Sequence, residues 1–144
     1  MAVTATCYAQ AVMALGVGGF DFASDTFKVM LTTAGYTPNE LTDEFVTDLG
    51  SEVIGTGYTA GGLTLTGVTW TYDVAVECGS LRCDPAVWTA AGFTAARYAV
   101  VYQSTGSDAT SRLLLYVDFE FDKSPGGADF VMDWTAEGFL QAYN

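Results

Sequence analysis

Residues 55–72 read GTGYTAGGLTLTGVTWTY, and this stretch decides the fold class. Glycine-rich turn material runs into Leu, Thr, Val, Trp and Tyr, residue types that suit the pleated, half-buried surface of a strand. Leu63 and Leu65 fall in one alternating phase, and Val68, Trp70 and Tyr72 in the other. Side chains in a strand point alternately to opposite faces, so a change of phase needs a lost step of register. The change falls at Gly67, and the sequence predicts a bulge or a bend there. Trp70 is expected on the core side.

The same strand signal recurs on both sides. In DTFKVMLT, residues 25–32, Phe27, Val29 and Leu31 share one face while Lys28 and Thr32 point the other way, the pattern of a half-buried strand. Further strands are predicted over Phe93–Tyr102, Leu113–Phe119 and Ala128–Trp134, separated by the polar turn material QSTGSDATS and DKSPGG. In the last of these, Phe130, Met132 and Trp134 alternate with Asp129, Val131 and Asp133, which marks one dry and one wet face. Trp134 is expected in the core, and Trp88, in a loop after Asp84-Pro85, is left open between core and surface.

Two helical segments interrupt the β pattern. Tyr8, Val12 and Leu15, with alanines between them, fit a short helix ending at Gly16. Thr37-Pro38-Asn39-Glu40 has the form of a capping box with proline at the first helical position. Leu41, Phe45 and Leu49 continue it as an apolar stripe, with Gly50 as a left-handed cap. No linker, charge block or internal repeat divides the chain. The reading is mainly β: one antiparallel β-sandwich domain over residues 1–144, of jelly-roll or Greek-key type, with a short N-terminal helical segment and one or two short helices in all.

Composition then narrows function. The 144 residues carry 17 acidic and five basic side chains, a formal charge of −12 that repels polyphosphate, so nucleic acid is not an expected partner. The basic residues Lys28, Arg82, Arg97, Arg112 and Lys123 are scattered, which leaves no patch for an anionic membrane. The first twenty residues are apolar, but no Lys or Arg precedes them and glycines interrupt them. They read as mature, soluble protein made in a cytoplasm. Charged residues are only 15% of the chain and mean hydropathy is +0.26, which predicts that another subunit covers part of the surface.

The absence of histidine removes the usual Ser-His-Asp and Cys-His nucleophile arrangements and any general base with an ordinary pKa near neutrality. No enzymatic activity is expected. Asp118, Glu120 and Asp122 in YVDFEFDK could in principle serve glycosidic cleavage, and they or Asp21 with Asp25 could offer oxygen ligands to calcium. No Asp-x-Asp-x-Asp-Gly loop is present, and a solvated acidic face accounts for them equally, so no metal or cofactor is assigned. GTGYTAGG lacks the Gly-Lys-Ser/Thr ending of a phosphate loop and leads into a strand, which leaves a flexible turn. Three cysteines cannot make a zinc site by themselves. Cys78 and Cys83 could close a small disulfide loop, or remain reduced thiols in a cytosol. The tryptophans, with eight tyrosines and nine phenylalanines, could build sugar-stacking platforms, but such residues more often fill cores and interfaces.

The segments TFKVMLTTAGYTPN (26–39), GTGYTAGGLTLTG (55–67), DPAVWTAAGFTAARYAVVYQSTG (84–106), LLLYVDF (113–119) and GGADFVMDWTAEGFL (126–140) together resemble a family of small tailed-bacteriophage virion structural proteins. The resemblance spans about Tyr8 to Leu140 and carries no catalytic residues. It implies a capsid decoration protein or a head or tail appendage located in the virion. This sequence departs from the family in Cys78 and Cys83, so no disulfide carries over. The expected partners are the major capsid protein and further copies of the chain, as a homotrimer at the threefold sites of a capsid lattice. The alternative is a fibre or tail module that touches a host glycan.

Overall fold

The computed structural model describes residues 4–74, 78–134 and 140–143. Its elements are β1 (Thr4–Cys7), α1 (Ala9–Gly16), β2 (Thr26–Thr33), β3 (Leu63–Thr64), β4 (Thr69–Asp73), β5 (Cys78–Arg82), β6 (Ala86–Trp88), β7 (Ala96–Ser104), β8 (Leu113–Lys123), β9 (Phe130–Met132) and β10 (Leu140–Tyr143). Every strand pair is antiparallel. A five-stranded sheet runs β1-β8-β7-β2-β3, a three-stranded sheet β10-β5-β4, and β6 pairs with β9. The fold is β-sandwich-like and carries one short α-helix, as the sequence patterning predicts.

The five-stranded sheet buries both faces. In its register Val29, Val101 and Leu115 form one row, and Leu31, Ala99 and Val117 the next. All six are buried. This face meets the smaller sheets: the Phe27 ring lies 5.4 Å from Phe22, Phe22 stacks on Trp70 of β4 at 5.4 Å, and Phe119 meets Phe130 of β9 at 5.6 Å. On the other face Tyr116 packs on Tyr8 at the start of α1, and Tyr98 on Tyr36. A strand expected to be half-buried is therefore covered on both sides along most of its length, with Met30 and Thr32 buried beside Val29 and Leu31.

The predicted helix after Thr37 does not form. Asn39 accepts from the Leu41 amide at 3.2 Å, Asp43 from the Asn39 amide at 2.9 Å, and Asp48 from the amides of Glu44 and Phe45. Short polar side chains have taken the donors a helix would need. Tertiary pairing takes other groups: Glu40 O accepts from Ala9 N, Glu44 O from Leu113 N, and Val46 N donates to Ser111 O. What remains of helical bonding is one turn in which Asn39 O accepts from the Thr42 and Asp43 amides, and a 3₁₀ turn at Val46–Asp48. Leu41, placed by the stripe on a buried face, is exposed, and the left-handed residue is Ser51 (φ 55°), not Gly50.

Gly67 (φ 63°) marks a bend and not a bulge. The chain before it is β3, paired with β2 in the large sheet, and the chain after it is β4, paired with β5 in the small one. The phase change is a change of sheet.

Candidate interaction surface

The polar groups singled out by sequence are mostly engaged with their own fold. Asp118 accepts from Arg97 Nε at 2.8 Å and from the Glu120 amide at 2.7 Å. The Arg97 hydrogen bond, reinforced by the Glu120 amide and the charge of the guanidinium, holds its carboxyl below the usual range against partial burial. Alternation along YVDFEFDK breaks here, because Tyr98 pairs with Asp118 but Ala96 with Lys123, and Glu120 takes φ 65°. Asp118, Glu120 and Asp122 thus do not form the regular one-face row that strand spacing suggests. Asp21 accepts from the Ser24 hydroxyl and the Ala23 amide, and Asp25 accepts from the Asp21 amide, closing a turn. Among the described residues no group of three or more His, Cys, Asp or Glu side chains stands together.

The glycine-rich segment is pinned and not flexible. Tyr58 donates to Glu52 at 2.8 Å and accepts from the buried Leu31 amide at 3.1 Å. Glu52 also accepts from Gly61 N at 2.6 Å, and Tyr102 donates to Gly61 O at 2.6 Å. Together with Ser51 O and Val53 N, which bond β2 at Thr33 and Leu31, the segment seals the edge of β2 on the side of β3. Desolvation pushes the Tyr58 phenol well above its ordinary range and that of Tyr102 up to about 12. Beside it, a shallow cavity of about 180 Å³ is lined by Met30, Val46, Leu49, Ser51, Glu52 and Asp108. Its lining carries one hydroxyl and two carboxylates and no cationic side chain.

The aromatic and thiol expectations divide. Trp88 is core, 1% exposed, with its ring 5.7 Å from Phe130 and its indole N–H without a protein partner among the described residues. Trp134 is half-buried and donates to Asp84 O at 3.2 Å. Trp70 is not core: it is 43% exposed, its ring covered in part by Phe22 and by Gly79 of the neighbouring strand. Cys83 is a free, buried thiol, its pKa pushed up to about 12 chiefly by desolvation. The side chain of Cys78 lies outside the described residues.

Two exposed stretches carry large apolar side chains. Helix α1 (AQAVMALG) has no charged residue, and Val12, Met13 and, just past its end, Val17 are exposed, the last at 84%. Leu41 is tied to this helix through Glu40 O and the Gln10 side chain, and is exposed as well. A second surface is β4, where Thr69, Trp70, Thr71 and Tyr72 are all exposed. Sequence reasoning placed both α1 and the strand β4 but put Trp70 on a core face, since alternation alone cannot tell how fully a strand's face is covered. No known family model matches the chain, and no curated protein matches it.

Proposed function

We propose that this chain is a bacteriophage virion structural protein, a decoration or cement subunit that binds the major capsid protein from outside the head shell and stabilises it. The observation that carries the reading is the uncharged face of α1 with Val12, Met13, Val17 and Leu41 exposed on an otherwise acidic chain. Several large apolar side chains exposed on and beside one uncharged helix suit a protein contact, and a charge of −12 disfavours contact with packaged DNA. Cement works by mass action: a subunit that binds the assembled lattice better than free capsomers raises the free energy of dissociation. The reading is non-enzymatic: without histidine the chain lacks the usual Ser-His-Asp and Cys-His nucleophile arrangements. A second reading, a tail or fibre module touching a host glycan, is favoured by one feature, the exposed Trp70 with Tyr72 two residues along the same face.

Particles lacking the subunit should release DNA at lower temperature than complete ones, and purified protein should restore them. Val12→Asp and Met13→Asp variants should fail to restore. Depleted heads as robust as complete ones, with adsorption to the host lost, would replace the cement reading with the glycan one.

A further inference from the structure

We infer that β4 is a pairing edge, and that its occupant is β4 of a second copy of this chain, joined antiparallel about a twofold axis at Thr71. The inference concerns self-association and does not need the virion role to be right.

Natural sheets protect their edge strands with charge, proline, bulges or a covering segment. The edge of β2 has such a cover, formed by residues 51–53, Tyr58 and β3. β4 pairs with β5 on one side, and no backbone group of Thr69–Asp73 bonds to any described residue on the other. Neither lysine nor proline interrupts VTWTY, residues 68–72. Thr69, Trp70, Thr71 and Tyr72 are exposed, so side chains on both faces of the strand can be covered by a partner.

The strand is also ordered in advance. The Trp70 ring stacks on Phe22 at 17°, and a Cβ at Gly79 would come within 2.7 Å of it, so Gly79 leaves the room that lets the indole lie against its own sheet. An aromatic fixed in this way and still 43% exposed loses little freedom on being covered, the property of an interface anchor.

Two features select a second copy as the occupant. Antiparallel pairing centred on Thr71 sets Trp70 opposite Tyr72 of the other copy, twice, and aromatic cross-strand pairs are favourable. It also keeps the strand's own carboxylates apart in chains that each carry −12. The one acidic residue of β4, Asp73, then stands opposite Thr69 of the other copy, and the two Asp73 positions are four residues apart along the strand, about 14 Å, beyond the screening length of roughly 8 Å at physiological salt. Alternate residues of a strand bond to the same side, so either set of outward groups yields at least four backbone hydrogen bonds. The result is one continuous sheet, β10-β5-β4 with its twofold mate, a closed isologous contact in place of the threefold ring expected from capsid geometry.

The test is sedimentation equilibrium of the whole protein, with Thr71→Lys and Thr71→Cys variants. The parent should sediment at twice 15.2 kDa, and Thr71→Lys, which sets two ammonium groups face to face, should be monomeric with the parent's circular dichroism. Under mild oxidation Thr71→Cys should form a 71–71 disulfide identified by peptide mapping, since directly opposite Cβ atoms lie within bonding reach. Thr69→Cys should not link to itself. The Thr71→Cys result reads the register even if the lysine variant misfolds. A parent that stays monomeric over the whole concentration range, a trimer, or a dimer that forms no 71–71 link would each overturn the proposal, whatever the outcome with depleted particles.

Discussion

Gly62→Ala should be among the most damaging single-methyl changes in this protein. Gly62 sits at φ 84°, and a Cβ there would lie 1.9 Å from Val29 O and 2.9 Å from Met30 Cα. Two costs combine. A non-glycine residue in the left-handed region costs about 1–2 kcal/mol, and forcing an atom into a filled site typically costs a further 1–3 kcal/mol. The obstacle is β2 backbone, held between β7 and β3 in the five-stranded sheet, so it cannot swing aside as a side-chain tip would. Retreat of the loop would instead strain the bonds of Tyr58 to Leu31 and of Tyr102 to Gly61. The total is about 2–5 kcal/mol. Gly126 supplies the control, since its φ is 67° but a Cβ there meets nothing within 4 Å. Gly126→Ala should cost only the conformational part. The two variants share the conformational cost and differ by the packing part of about 1–3 kcal/mol, so at roughly 2–4 °C per kcal/mol for a chain of this size Gly62→Ala should melt about 2–12 °C below Gly126→Ala by differential scanning calorimetry. Equal melting temperatures would refute the packing of the glycine-rich segment against β2.

Further expectations follow from the corrected local structure and from the buried phenols and thiol. Thr37→Ala, at an exposed position outside any helix, should leave the melting temperature within error, whereas Asp48→Ala, which removes the acceptor for the Glu44 and Phe45 amides, should cost about 1 kcal/mol; the reverse order would restore the helix. Tyr8, Tyr36 and Tyr58 have phenol pKa values raised first by desolvation. Because the folded values exceed the unfolded one near 10, their contribution to stability is complete below pH ~10 and is lost as the pH rises above it. Tyrosinate absorbance should therefore appear in two stages, the later one together with loss of fold, and a single unperturbed titration of all the tyrosines would contradict their burial. Cys83, buried and with its thiol pushed up to about 12, should resist alkylation at pH ~8 in the native protein and react once it is unfolded; rapid native labelling would place it at the surface.

The contrast between the two halves of residues 55–72 shows what each level of description decided. The sequence by itself determined that this region is β, that Gly67 interrupts it, and that Phe27, Val29 and Leu31 face a core, because alternation and glycine placement are local properties of the chain. It also placed α1, whose apolar spacing is closed by Gly16. Tertiary structure decided the rest. The segment after Thr37 carries a good helix start, yet Asn39, Asp43 and Asp48 bind its amides while β8 and Ala9 recruit its backbone; competition between a local signal and distant partners cannot be read from spacing. Strand spacing put Asp118, Glu120 and Asp122 on one face, but the irregular pairing of β7 with β8 and the left-handed Glu120 broke the alternation. Trp70 and Trp88 are the same residue type in similar β-rich text, and one stands exposed while the other is sealed in the core. Burial is set by what a strand packs against after the chain has bent, and the bend at Gly67 sends β4 to a sheet whose outer edge makes no backbone hydrogen bond to any described residue.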